Sequence, residues 1–394
     1  MKTEKAKGFS DYTGEAALKR AKVREVIEET FRLYGFQSAE TPIIEYEEFV
    51  KGENQGDEAI SDIFRLQDKG KRKLALRYEF TFQLKRLMKG KKMPYRRYQI
   101  GSVFRDEPIK TGRFREFTQC DVDIIGSGEI NSDAEILAVA GAIFSKLKIP
   151  TEIQVNNRKI LDSIIENLGV RDKKTILDII REIDKLDKNF NEAKKNISKI
   201  LNKNKTEELL DYFDKDLQFF LDQDFPGSVE IKELMKLCKF YGVKIRFNPS
   251  LARGLSYYTG NVFEIWSSKY NMAVSGGGRY EVNGVGAVGI SFGLDRINRL
   301  TKGIDTQSTR CLILSLGQDK EAIKLSKRLR EEKISCSLMY GKPSKALEYS
   351  NAYGMPYVIF IGEAEAMQNK YKIKDMKTGK ENLVDLKKLI GKLK

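Results

Sequence analysis

The 394-residue chain contains no histidine. That absence removes every Ser–His or Cys–His nucleophilic pair and every imidazole general base. There are four cysteines, Cys120, Cys238, Cys311 and Cys336, far apart in sequence and with no CxxC spacing. A structural zinc site is disfavoured on those grounds, and reduced thiols in a cytoplasmic protein are the expected state. No uninterrupted apolar run approaches the ~20 residues that a bilayer-spanning helix needs. The opening stretch MKTEKAKGFSDYTGEAALKR lacks the apolar core of a secretion signal. Membrane-embedded and secreted classes are therefore not expected. Chemistry, if there is any, falls to Arg, Lys, Asp, Glu, Tyr or a bound metal.

What the chain does carry is charge. Lys+Arg number 71 against 56 Asp+Glu, a net +15, and the charged fraction is 32%. Ordinary globular chains hold about 25%. A surplus of this size points to a polyanionic partner, nucleic acid or an anionic membrane. The hydrophobic fraction of 41% suits a sizeable core, and the length suits two or three domains.

Periodicity divides the chain. Residues 17–34 read as an amphipathic helix with Leu18, Ala21, Val26, Phe31 and Leu33 on one side, stopped by Gly35. Pro42 opens an extended segment. Residues 73–80 alternate as a strand would, and 97–104 and 115–125 read as two strands joined by a polar turn containing Gly112. Asp121 and Asp123 would then share one face. Residues 158–241 are dense in Lys, Asp, Glu, Ile and Leu at helical spacing and read as an inserted helical module. Strand signals return over 243–266, 272–280 and 284–300, the last running directly into a helix. From 308 onward strands and helices alternate in a small α/β domain. This stretch holds 18 Lys+Arg against 10 Asp+Glu, over half the net charge, so it is where a polyanion would bind.

The segment VFRDEPIKTGRFREF (103–117) places Arg105, Lys110, Arg113 and Arg115 among Phe104, Phe114 and Phe117. Taken alone, the run also fits a solvated charged hairpin with one apolar face. The motifs that follow decide between the two. FRDE with GRFREF resembles motif 2 of class II aminoacyl-tRNA synthetases, GISFGLDRI (289–297) resembles their motif 3, and the helix ending in Pro42 fits motif 1. RGLSYYTG (253–260) and SGGGRY (275–280) narrow the likeness to the histidyl-tRNA synthetase family, over nearly the whole chain. The segment KPSKALEYSNAYGMPYVIFIGEAE (342–365) resembles the anticodon-binding domain of class IIa synthetases.

The resemblance implies an α/β fold with an α+β catalytic domain. Its parts would be an antiparallel sheet with flanking helices (1–157 and 242–303), a helical insertion (158–241) and a C-terminal α/β anticodon-binding domain (308–394). It implies a homodimer that joins L-histidine, ATP and tRNA(His), with Mg2+ accompanying ATP and no protein metal site. Arg105 would bridge the α-phosphate and the amino-acid carboxylate, and Arg253 would contact the α-phosphate where other class II enzymes use a metal. Glu107 would face adenine, Arg113 would reach the γ-phosphate, and Phe117 and Arg296 would sandwich the base. Glu79 and Thr81 would contact the substrate ammonium, with Gln119 assisting. Asp123 and Tyr258 would meet the two imidazole nitrogens, with Tyr257 nearby.

The residue types suit that chemistry. Amino-acid activation brings two anions together, and planar guanidinium forks match phosphate and carboxylate oxygens. Departures from the family pattern are Asp123 where bacterial members have glutamate, Ser256 in place of an acid, and GGRYE for GGRYD. QCDVDIIG looks more like the archaeal and eukaryotic branch. The motif 2 loop PIKTG lacks an arginine found in some members. Two other readings stand beside the synthetase. One is a regulatory paralogue that senses histidine for a phosphoribosyltransferase. The other is a synthetase-like RNA-binding module. Retention of Arg105, Arg113, Arg253 and Arg296 argues against both.

Overall fold

The computed structural model describes residues 3–52, 58–109, 113–187, 189–253, 257–267, 272–306 and 309–394. Lys110, the expected turn at Gly112 and the departure at Ser256 lie outside the described residues. The chain divides into two units, Met1–Asp11 with Val23–Gly303, and Tyr12–Lys22 with Ile304–Lys394. Among the described residues no helix is long and apolar enough to cross a membrane.

The larger unit contains strands β1 (Gln37–Ser38), β2 (Ile44–Tyr46), β3 (Arg65–Gln67), β4 (Lys73–Leu76), β5 (Tyr95–Phe104) and β6 (Glu116–Ile125). These are followed by β7 (Glu152–Asn157), β8 (Ile245–Phe247), β9 (Tyr258–Ser267), β10 (Met272–Val282) and β11 (Val285–Gly293). Eight strands form one sheet in the order β1-β5-β6-β11-β10-β9-β7-β8, and β2-β4-β3 form a small second one. Every pair from β5 across to β7 is antiparallel, and the edge pairs β1–β5 and β7–β8 are parallel. This is the antiparallel sheet that the motifs implied.

Period-two alternation sorts the sheet's faces. On β6, Cys120, Val122 and Ile124 are buried between Gln119, Asp121 and Asp123. Phe292 of β11 meets Phe144 of the helix Ile130–Lys146 and Phe31 of the helix Gly14–Leu33, at ring separations of 6.0 and 5.9 Å. The apolar face is thus covered by helices, and the polar face is left for a ligand.

The N-terminal helix buries a different stripe from the one its sequence suggested. Val23, Ile27, Thr30 and Phe31 are buried, while Leu33 is 73% exposed. The buried set follows the i, i+4, i+7, i+8 spacing of one helical face. The strand expected over 73–80 ends at Leu76. Beyond it Arg77 donates to the Thr41 and Ser102 carbonyls at 2.7 and 2.8 Å, so the chain leaves strand geometry with Tyr78, Glu79 and Phe80 all buried. Between β8 and β9, the stretch expected as continuous strand is a loop at Asn248–Ala252.

Among the described residues of 158–240 there are six helices: Arg158–Asn167, Lys173–Ile183, Phe190–Leu201, Lys203–Phe213, Leu217–Asp222 and Ser228–Phe240. Asn157, Asp172, Asn202 and Asp216 each accept a first-turn N–H, the usual way to satisfy a helix start.

The smaller unit has β12 (Cys311–Ser315), β13 (Cys336–Tyr340), β14 (Tyr357–Ile361), β15 (Tyr371–Asp375) and β16 (Glu381–Val384), in the order β13-β12-β14-β15-β16. The first three are parallel, as α/β alternation requires, and β15 and β16 add antiparallel edge strands that the lysine-rich pattern did not announce. Cys311 and Cys336, distant in sequence, sit directly opposite one another on β12 and β13 as free thiols.

The triple glycine lies in mid-sheet on β10. A Cβ on Gly277 would run into the Gly289 carbonyl and come within 2.7 Å of Ile290 Cα on β11. Backbone cannot move aside as a side chain can. Gly277→Ala is expected to destabilise the larger unit by about 1–3 kcal/mol. Gly128→Ala, with nothing within 4 Å of its new methyl, should leave the unit unchanged. Thermal unfolding of both variants checks this.

Candidate active site

The polar face of the sheet is roofed by the irregular segment after β4 and by the start of the helix Leu294–Leu300. Between them lies a cleft. Its two ends differ in charge.

One end is cationic. Arg105 follows directly on β5, with its guanidinium 5.2 Å from the centre of the Phe117 ring. Arg113 pairs with Glu107 at 2.9 Å, and Arg105 lies 3.8 Å from the same carboxylate. Arg296 occupies the first turn of the helix that β11 runs into, and donates to the Ala273 carbonyl at 2.9 Å. Burial, with Arg113 and Arg105 nearby, pulls its pKa below the ordinary arginine value. An anion would relieve that crowding. Arg253 donates to Glu264 at 2.7 Å, and Glu264 also accepts from the Trp266 indole at 3.0 Å. Burial opposes the Arg253 charge, but Tyr258, Glu264, Asp184 and Tyr257 outweigh it and hold the guanidinium charged. Close approach to β10 is what admits it, since a Cβ at Gly276 would stand 2.5 Å from Arg253 Nη1.

The other end is anionic. Glu79, Asp121 and Asp123 line it, each about 95% buried. Strand register places Asp123 opposite Arg97 on β5 and opposite Gly289 on β11. Arg97 is wholly buried, and its Nη2 lies 2.9 Å from Asp123 Oδ2. The Tyr280 hydroxyl donates to Asp123 Oδ1. Gln119 donates to Ser291 Oγ at 2.6 Å. The Tyr257 and Tyr258 rings sit 4.7 Å apart, and burial raises both phenol pKa values, keeping both hydroxyls protonated. Burial pushes Asp121 up to about 7, with Arg97 opposing and Asp123 and Glu79 adding to the rise. Burial likewise raises Asp123, against the pull of Arg97 and the Tyr280 hydrogen bond.

The cleft therefore offers polyanion-binding guanidinium groups and, beside them, a carboxylate- and phenol-lined pocket for a small organic cation. All twelve residues singled out from sequence line it: Arg253, Arg105, Glu107, Arg113, Phe117, Arg296, Glu79, Thr81, Gln119, Asp123, Tyr257 and Tyr258. Among the described residues no group of three or more cysteine or carboxylate side chains is placed to hold a metal ion.

Comparison with known proteins places this cleft in a family. A family profile described as histidyl-tRNA synthetase matches residues 8–297, and one described as anticodon binding domain matches 310–394. The chain belongs to the histidyl-tRNA synthetase family. It is 35% identical to histidine–tRNA ligase 1 of Bacillus cereus (strain ZK / E33L), covering 99% of both chains. It superposes on the crystal structure of histidyl-tRNA synthetase from Nostoc sp. PCC 7120 with a TM-score of 0.86 at 24% identity, covering 100% of this chain and 99% of that one. A Bacillus halodurans structure titled ATP phosphoribosyltransferase regulatory subunit/histidyl-tRNA synthetase gives a TM-score of 0.74 at 20% identity, covering 91% and 98%. Those two structural likenesses speak to the fold alone.

No site role was read from the motifs for Arg97, Asp121, Glu264, Tyr280 or Ser291, although Tyr280 closes SGGGRY and Ser291 lies within GISFGLDRI. Alternation on β6 had already put Asp121 on the Asp123 face. Arg97, Glu264 and Ser291 reach the site through strand pairing, which no linear spacing reveals.

Asp121 makes a stability prediction. Its unfolded carboxyl titrates near 3.8 and the folded one at about 7. Between those values the unfolded chain gives up a proton that the folded chain keeps, so stability falls as pH rises through this window and is level above it. Asp121→Asn removes the penalty. The variant should match the parent near pH 4 and exceed it increasingly up to pH 7, by a few kcal/mol, in unfolding measured across a pH series.

Proposed function

We propose that the protein is a histidine–tRNA ligase. It activates L-histidine with ATP and transfers the histidyl group to the 3′ end of tRNA(His). The observation that carries this reading is the two-ended cleft, lined by every residue to which the family motifs point.

In the first step a histidine carboxylate oxygen attacks the α-phosphorus of ATP. A new P–O bond forms, the bond to the β-phosphate bridging oxygen breaks, and pyrophosphate leaves. Arg105 and Arg253 offset the charge that builds on the α-phosphate, and Arg113 holds the γ-phosphate. Arg253 serves without reorganising because Glu264 already fixes it. Phe117 and the Arg296 plane take the two faces of adenine, with Glu107 on its edge. Glu79 and Thr81 receive the substrate ammonium, assisted by Gln119. Asp123 and Tyr258 take the two ring nitrogens, one acceptor and one donor for an imidazole that offers one of each, with Tyr257 beside them. In the second step a hydroxyl of the terminal ribose attacks the acyl carbon and AMP leaves. Magnesium enters with the nucleotide, held by phosphate oxygens.

The catalytic domain is assigned to 1–157 and 242–303, the insertion that leans on the acceptor stem to 158–241, and the anticodon-binding domain to 308–394, whose lysine surplus faces the tRNA. Motif 1 implies a homodimer, and cytoplasmic translation is the setting. The bacterial relatives lend no support to the archaeal or eukaryotic branch that QCDVDIIG suggested. The regulatory paralogue is the weaker reading, since that protein type lacks the anticodon domain that residues 310–394 match.

ATP–pyrophosphate exchange measured with each of the twenty amino acids tests the assignment. Stimulation by histidine alone is expected, and a folded protein inert with all twenty would point to the paralogue. Arg253→Ala is expected to slow adenylate formation at least ~100-fold while leaving the fold intact. Near-normal exchange in that variant would remove Arg253 from the chemistry.

A further inference from the structure

We infer that Arg97, which lies behind the cleft and touches no substrate, is a positioning residue that, together with Tyr280, orients the Asp123 carboxylate and thereby sets the cleft's selectivity for a ring nitrogen. The inference rests on the reading of the anionic end as the histidine pocket.

Arg97 is 0% exposed on β5, next to the edge strand of the eight-stranded sheet, and is absent from the cleft lining. It comes from β5, directly across from Asp123, and lies 2.9 Å from Oδ2. Tyr280 comes from β10, two strands away on the other side, and donates to Oδ1. It can reach because the intervening position on β11 is Gly289, where any Cβ would collide with that same oxygen. One carboxylate oxygen thus faces Arg97 on the neighbouring strand, and the other takes the Tyr280 hydroxyl from two strands away. Asp123 itself lines the cleft.

This arrangement has a chemical consequence. A carboxylate only accepts hydrogen bonds, whereas a protonated acid also donates one. Burial disfavours a charge on Asp123, and Arg97 and the Tyr280 hydrogen bond are what favour one. Arg97 is the cation that lets it stay ionised. An apolar side chain would be the cheaper occupant of so buried a place. With Arg97 present the pocket demands an N–H donor from the ligand ring. Without it that demand relaxes, and sites that hydrogen-bond a substrate nitrogen owe their discrimination to such a demand.

The test is histidine-dependent pyrophosphate exchange on the full chain with Arg97→Met, Arg97→Lys and Tyr280→Phe. Arg97→Met should raise the KM for histidine on the order of 10-fold or more and leave the KM for ATP within about 2-fold. Discrimination against ring-N-methylated histidine should fall on the order of 10-fold. Arg97→Lys should recover most of both effects, and Tyr280→Phe should reproduce them more weakly. If the methionine variant does not fold, the lysine and phenylalanine variants decide alone, since the first keeps the charge and the second keeps the volume. An unchanged KM for histidine in the variants that fold would overturn the role. So would a joint loss of kcat and both KM values in step with thermal stability. A parent chain with no histidine-dependent exchange is a separate result, which overturns the functional reading and this role with it.

Discussion

Arg97 carries a full positive charge on β5, the second strand of the eight-stranded sheet, out of reach of water. An unpaired charge there would cost several kcal/mol, so the surrounding strands are arranged to answer it. β6 lies beside β5 in the register that puts Asp123 opposite Arg97, and β11 leaves a gap at Gly289 through which Tyr280 reaches the same carboxylate. One arginine cannot neutralise three acids. Burial, with Asp123 and Glu79 adding to it, keeps the proton on Asp121 up to about pH 7. The same imbalance leaves this end of the cleft ready for a ligand that brings a positive group.

The cationic end obeys the same rule with the signs reversed. Arg253 and Arg113 are each held by an acid, Glu264 and Glu107, yet the end retains more guanidinium groups than partners. Arg296 feels that excess directly. In the proposed function, a nucleoside triphosphate and an amino acid that is cationic at its ammonium would take the two ends without either end exchanging roles. Their reacting anionic groups meet where the two fields join. No proton-shuttling imidazole is needed for the first step, because the attacking carboxylate is already ionised. The chain's lack of histidine is therefore no obstacle to the activity.

Sequence and structure diverge where packing overrules local pattern. Alternation over 73–80 looks like a strand, but two carbonyls captured by Arg77 pull the chain out of the sheet and turn Glu79 and Thr81 into the cleft. On the first helix, the residues chosen by hydrophobicity include Leu33, which lies in the open. The stripe that packs is Val23, Ile27, Thr30 and Phe31, with Phe31 set against Tyr98 and Phe292 of the sheet. In the smaller unit the lysine-rich pattern over 371–384 announced no strand, yet it forms β15 and the edge strand β16, with Lys372 and Lys374 of β15 pairing with Glu381 of β16.

By itself the sequence determined the chemistry's vocabulary. It excluded imidazole, supplied arginines within motifs whose order is diagnostic, and put Asp121 and Asp123 on one strand face, because side chains of a strand repeat every two residues. It also marked the helical stretch at 158–241 and the basic α/β region at the end. Only the tertiary structure decided which acid each arginine answers, and that Arg97, Glu264, Tyr280 and Ser291 belong to the site at all. The physical reason is that these pairings run across strands. Register and the three close approaches at Gly276, Gly277 and Gly289 set who faces whom, and both follow from the packing of the whole sheet rather than from any short run of residues.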